Sequence, residues 1–471
     1  MTSSANPAQA DNHHGHLPAG SGKSVVLAIA AVVVAYLVSL AFGWPQYGTQ
    51  LIVAEAGHHD HAEPPADDQS GGEQVSHAED HHDSPPPPLW TVVPFVLLLG
   101  AIAILPLLNA TEHWWESNAN RFLVAAGLAF VTLLYYGFLH DLPVDGHWPV
   151  HYVAEPTMGF NWDIVLAILG SAILGEFIPF IVLLFSLYVI CGGIRISGDL
   201  RATPLTNTAF IAVGGLLASF VGTTGAAMLL IRPLLETNRE RAHVKHTVVF
   251  FIFVVCNCGG CLLPIGDPPL FLGYLQGVPF LWTMEALWAP WVFTNCLLLT
   301  LFYGIELLWY YRHETVADLH RDQEFVTRLK FEGLGLNLPL LLGVVLAVAL
   351  LDPSKTIPGT DFHPWMYSRE VVQLALVGIS LFAGSADLRR RNSFNYHAIV
   401  EVAALFSGIF ICMQPALQIL NVHGPSMGKL FGTESGELSP THYYWLTGGL
   451  SSVLDNAPTY LVFFKTAEAS S

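Results

Sequence analysis

The stretch Asn257-Cys-Gly-Gly-Cys-Leu-Leu-Pro-Ile-Gly-Asp-Pro-Pro269 decides how this chain folds. It interrupts a long apolar run with three glycines, three prolines and the carboxylate of Asp267. Glycine frees the backbone and proline removes a donor, so no continuous helix passes through it. Two readings fit. At a membrane surface the stretch is a tight loop. Inside the bilayer it is a broken helix, tolerated only where it is buried in protein or lines a cavity. Its apolar flanks favour the second reading, and in transporters such breaks form the substrate or ion site.

The rest of the chain supplies the membrane. Of 471 residues, 52% are hydrophobic and only 12% charged, with a mean hydropathy of +0.48. A soluble domain carries about a quarter charged residues, so the composition predicts an all-α polytopic membrane protein. The formal net charge of −18 arises largely between Glu55 and Asp83, which hold no Lys or Arg. No basic patch exists for nucleic acid, and no P-loop for ATP. An enzyme is not expected. Cys191, Cys256, Cys258, Cys261, Cys296 and Cys412 lie in or beside apolar runs and read as small buried residues. The Cys-x-Cys-x-x-Cys spacing of Cys256, Cys258 and Cys261 matches no common zinc frame.

Residues 1–23 are polar and read as disordered. Residues 24–43 form an apolar run behind Lys23, either a signal peptide or an uncleaved anchor, with the later spans favouring the anchor. Residues 44–88 read as a flexible extracytoplasmic loop rich in His, Asp and Pro. Its His58, His59, His61, His81 and His82 are weak metal candidates, and a solvated acidic loop is the plainer reading. Apolar runs follow at 89–108, 121–140, 160–194, 204–231, 246–280, 286–311, 335–351, 370–387, 397–420 and 443–464. They divide into accessory helices over 89–160, a first transport repeat over 161–311, a cytoplasmic linker over 312–334 and a second repeat over 335–471. The run 160–194 is too long for one ordinary span and contains Gly175, Glu176 and Pro179. One interfacial helix plus a span, and two spans, both fit it.

Basic residues locate the cytoplasmic side. Arg195 with Arg201 precedes the run 204–231, and Arg232, Arg239, Arg241 and Lys245 follow it. A simple span would part the two clusters. A re-entrant hairpin keeps both inside, with its turn at Gly222-Thr-Thr-Gly225. A faint repeat points the same way. Gly215-Leu-Leu-Ala-Ser219 and Gly448-Gly-Leu-Ser-Ser452 share Gly-x-Leu-x-Ser, and each runs into a polar break.

The candidate ligands stand at these breaks. Asp455 lies between two apolar arms, where a carboxylate is costly unless protonated or paired. Asn456, Thr459 and the hydroxyls of Ser451 and Ser452 add neutral oxygens that suit Na+. Asp455-Asn-Ala-Pro458 is equally a good helix start. Asp267 precedes Pro268-Pro269 in the same way. Asn257 and the carbonyls around Gly259 and Gly260 could take a cation. Thr223 and Thr224 present hydroxyls and amides. Glu176 and Glu401 read as structural.

At these residues the chain resembles the ion transporter superfamily, over roughly residues 170–465. That group holds arsenite permeases, citrate and dicarboxylate transporters and D-type Na+/H+ antiporters. Gly222-Thr-Thr-Gly-Ala-Ala-Met-Leu-Leu-Ile-Arg-Pro233 and the stretch from Gly259 to Gly273 are most similar to a branch of citrate transporters or sodium:proton antiporters. The resemblance implies two inverted repeats, each with a re-entrant hairpin and an unwound helix at the midplane, in a homodimer working by elevator-like alternating access. It departs in two places. Carboxylate-binding members carry Ser-Asn-Thr at both tips, whereas the tips here are Gly222-Thr223-Thr224 and Asp455-Asn456. The counterpart of the 246–280 break is expected beyond Ser471, which makes the chain read as C-terminally truncated.

Three functions follow as expectations. The first is Na+/H+ antiport in a bacterial inner membrane, with Asp455 binding Na+ or H+ alternately and Asp267 as a second carrier. The second is Na+-coupled uptake of citrate or a dicarboxylate, with Thr223, Thr224, Asn257 and the hairpin helix N-termini holding the anion. The third is a non-transporting scaffold or metal sensor using the His-rich loop. No cofactor is expected beyond the transported or coupling ions. The expected partners are membrane lipid, a second copy and a small ion or carboxylate.

Overall fold

A computed structural model describes residues 21–60, 86–146, 148–314, 327–423, 438–452 and 456–468. Among them, seven helical segments are long and apolar enough to cross a membrane. An eighth candidate is the pair His397–Cys412 and Gln414–Leu420, bent by 42°.

The N-terminal part comprises α1 (Ser21–Ala41), α2 (Trp44–Asp60), α3 (Val93–Ile104), α4 (Glu112–Trp115) and α5 (Asn118–Phe138). α2 replaces the start of the flexible loop expected over 44–88, its Thr49 hydroxyl donating to Pro364 O at 3.1 Å; His58 and His59 fall in its last turn, and His61, His81 and His82 lie outside the described residues. The long run 160–194 forms one continuous segment, Trp162–Cys191. It consists of α6 (Trp162–Leu169), a π-helical stretch Gly170–Phe177 and α7 (Ile178–Cys191). Pro179 has no N–H to give the carbonyls behind it. One of these, Leu174 O, accepts instead from the Tyr367 hydroxyl at 2.9 Å. A donor nearly two hundred residues away thus lets one helix run where sequence leaves two pieces possible.

The chain continues with α8 (Pro204–Val221) and α9 (Thr223–Thr237), joined only by Gly222. Gly222 has φ +79° and ψ 150°, a conformation open to glycine and costly for other residues. At the other end, Asn207 of α8 and Asn238 after α9 exchange side-chain hydrogen bonds of 2.8 Å. The segment is therefore a closed helical hairpin whose two basic flanks lie at one end, as the charge argument requires. Its base is locked by buried charge. Arg241 pairs with Glu306 and, at 3.3 Å, with Glu314, while His246 contacts the other Glu306 oxygen. Glu306 and Glu314 side chains are fully buried; their desolvation is offset by this pairing together with hydrogen bonds from Asn207 to Glu306 at 3.3 Å and from the Ala242 amide to Glu314 at 3.4 Å.

Next comes the break. α10 (Lys245–Phe251) passes into a π stretch Ile252–Asn257 and a 3-10 turn Cys258–Leu262, and helix resumes only at α11 (Pro268–Leu275). α12 (Trp282–Ile305) packs along the 3-10 turn. The second half holds α13 (Leu334–Leu350), α14 (Ser368–Ala383), α15 (Ala386–Arg391), α16 (His397–Cys412), α17 (Gln414–His423), α18 (Pro440–Ser451) and α19 (Asn456–Glu468). α16 packs along α5 so tightly that a Cβ on Gly408 would fall 2.8 Å from the Ala125 carbonyl. α1 packs on α14, and its Tyr36 hydroxyl donates to Met366 O at 3.0 Å.

The fold is mostly helical, not wholly so. Among the described residues two antiparallel ribbons occur, β1 (Val144–Gly146) with β2 (Tyr152–Ala154), and β3 (Arg195–Asp199) with β4 (Thr327–Glu332). Strands this short lack a period that sequence could reveal. All six cysteines are free; Cys191 and Cys412 are buried as expected, but Cys256, Cys258 and Cys261 in the break are half-buried and Cys296 is exposed on α12.

Candidate functional site

The hairpin tip is stitched to the break. The Thr223 amide donates to Gly266 O at 3.0 Å. The Ser219 hydroxyl donates to Gly259 O at 2.5 Å and accepts from the Leu262 amide at 3.2 Å. Unwinding leaves carbonyls and amides without helical partners, and each buried one needs a replacement. α12 provides two more: Trp291 Nε1 donates to Gly259 O at 3.1 Å, and Thr283 to Leu262 O at 3.0 Å. The glycines are required by proximity. A Cβ on Gly266 would lie 2.1 Å from Gly260 O, and one on Gly259 2.6 Å from Gly215 O.

Where tip and break meet, a cavity of about 170 Å³ opens. Its walls are α7 (Leu184, Leu187, Tyr188), the tip from Val221 to Gly225, the break (Ile265, Gly266, Pro268) and α16 (Ala398, Ile399, Val402). Thr223 is buried in the stitch, whereas Thr224 is exposed toward this space. The first amides of a helix have no intrahelical acceptor, and its N-terminus carries partial positive charge. The first turn of α9 therefore lines the cavity, with Thr224 exposed there and its first amides lacking intrahelical acceptors. None of the lining residues is Lys or Arg.

The other sequence candidates are distributed unevenly. Gly260 is a close-packing residue, meeting Gly266 O and Thr223 Cγ2 at 2.8 Å from an ideal Cβ. The Gly259 carbonyl accepts from two donors, which occupies both of its lone pairs. Asn257 is exposed and donates to Ile252 O at 2.9 Å, repairing the π stretch instead of lining the cavity. Asp267 is the N-cap residue of α11, as Asp before Pro-Pro suggests, although its side chain makes no capping hydrogen bond. It borders a small space with Pro264, Pro268 and Phe271 beside the main cavity. At the second tip, Asp455 lies outside the described residues. Ser452 is exposed and donates to Gly449 O at 2.7 Å; Asn456 is exposed and accepts from Ser451; Thr459 is buried in α19. α19 packs against α11, and none of Ser452, Asn456 and Thr459 lines the cavity.

Ser219, Thr283, Trp291 and Tyr188 are contributors that residue-by-residue reading missed. Only Ser219 carried a signal, as the last residue of the first Gly-x-Leu-x-Ser. Among the described residues, no group of three His, Cys, Asp or Glu side chains converges to hold a metal ion.

Residues 85–471 match a family model described as "Putative citrate transport". The chain belongs to this citrate transport family. Membership makes it a multi-pass membrane transporter of the ion transporter superfamily and not an enzyme. Neither a curated protein nor a solved structure matches it. Within the citrate transport family member described here, the matched region holds the hairpin, the break and the cavity between them.

Proposed function

We propose that this transporter carries citrate, or a closely related di- or tricarboxylate, across the membrane together with a cation. The observation that carries this reading is the exposed first turn of α9 facing a cavity that has no basic lining residue. Helix-terminal amides and hydroxyls suit carboxylate oxygens. Their partial charge of about +0.5 is too small to balance a polycarboxylate alone. The remaining charge is balanced by a cation that travels with the anion, and Na+ is the cation the second tip's oxygens suit. Elevator-like movement, a homodimer and a bacterial inner membrane accompany this proposal on the strength of the resemblance.

Uptake of labelled citrate into proteoliposomes tests it, with Na+ and pH gradients imposed separately. The expected result is saturable citrate uptake that depends on an inward cation gradient. Exchange of Na+ for H+ at full rate without citrate, and no citrate uptake under any gradient, would establish antiport instead and sink the carboxylate reading.

A further inference from the structure

Glu176 stands near the middle of the helical segment Trp162–Cys191, inside its π-helical stretch. Its Oε1 accepts from Gln276 Nε2 at 3.2 Å. Its Oε2 is buried and has no hydrogen-bond partner among the described residues. An ionised carboxylate in a span with one oxygen unsolvated and unbonded is unfavourable. A proton on Oε2 removes that penalty. A metal cation would need several converging oxygens, and the neighbouring Gln276 presents a donor.

The surroundings do not neutralise the carboxylate by direct pairing. Lys465 acts on it electrostatically from α19, but that ammonium is bound to Glu468 at 2.7 Å. The Tyr367 hydroxyl, beside the same stretch, is spent on Leu174 O. α16 faces the stretch with Phe410 against Phe177, and its Glu401 pairs with Arg121 at 2.8 Å. α7 carries no charged residue. Trp148 and Tyr367 reach the stretch from loops on the side opposite the Arg195 cluster, which makes this the outer side. Gln276 closes α11, and Pro268, the first residue of α11, lines the cavity. One hydrogen bond thus links Glu176 to the half-helix that walls the site.

We propose that Glu176 is a proton-binding site that takes a proton from the outer side and couples it to carboxylate movement, a role that rests on the transport reading above. Proton uptake converts the carboxylate to a carboxylic acid with Gln276 still donating to Oε1; release returns the proton to water.

Infrared difference spectra of the full chain, titrated without citrate, read the group directly. The parent should show a protonated buried carboxyl band that disappears on alkalinisation, and Glu176→Gln should lack it. In proteoliposomes, Glu176→Gln should keep citrate equilibrium exchange and lose uptake driven by a pH gradient. Parental gradient-driven uptake in this variant overturns the proposal. So does loss of exchange together with uptake in a folded variant. If Glu176→Gln fails to insert, the parent decides. A hydrophobic carbodiimide, which attacks protonated carboxyls within membranes, should modify Glu176 and block gradient-driven uptake. Glu176 left unmodified, or modified without effect on that uptake, overturns the proposal. A parent that shows the band but moves no citrate defeats the transport reading and the coupling role, while the proton site stands.

Discussion

Ser219 illustrates how much one hydroxyl does at an unwound helix. It bridges Gly259 O and the Leu262 amide, two groups that the break deprives of helical partners. Ser219→Ala should cost about 1–3 kcal/mol, the penalty for buried polar groups left unpaired. Ser452→Ala, the same position of the second Gly-x-Leu-x-Ser but exposed, should change stability by about 0.5 kcal/mol or less. Thermal unfolding in detergent compares the two; equal effects would contradict the stitch. His140 offers a pH test outside the spans. Burial pushes its imidazole below the ordinary value, against a smaller opposing pull from Asp141. The folded state favours the neutral ring, so its contribution is present above the ordinary value of about 6.5 and fades as pH falls below it. His140→Gln should flatten the acid-side fall in melting temperature, and an unchanged profile would remove His140 as its source. At this scale the sequence was informative about kind and silent about partners. Gly222, the threonines after it and Gly266 fall where the hairpin tip meets the break, and Asp267 falls at the start of α11. Nothing in the local residues revealed that Asn257 turns back on Ile252, or that Trp291 fills the Gly259 carbonyl.

Among elements, the α8–α9 hairpin was the most legible, because charge on its flanks argued against a simple span and the turn falls at Gly222. Cysteines placed at Arg201 and at Arg239, both exposed, should label from the cytoplasmic side only. Labelling from opposite sides would contradict a re-entrant course. The hairpin's base depends on the buried Arg241–Glu306–Glu314 group. Glu306→Ala leaves the Arg241 cation without its closest partner and should cost about 3–5 kcal/mol, more than either serine change. A loss within error of Ser452→Ala would show that the charge lock is dispensable. The segment Trp162–Cys191 was ambiguous for a physical reason. Gly175 and Pro179 weaken the helix locally, and the compensating donor, Tyr367, is remote in sequence.

At the level of the molecule, a hairpin tip and a broken helix meet around a cavity, enclosed by α7 and α16 and backed by α12. Composition already required many spans. The pairing of α16 with α5, and of α1 with α14, could not be read from runs of apolar residues, since any apolar helix can pack on any other. In the proposed transport reaction the exposed first turn of α9 receives the carboxylate. Thr224→Cys, in a chain whose native cysteines are replaced, places a thiol at that turn. Its rate of modification by a small charged thiol reagent, measured with and without citrate, is the most direct test. Citrate at saturating concentration should slow modification of this cysteine. A chain that transports citrate while citrate leaves this rate unchanged would place the substrate elsewhere.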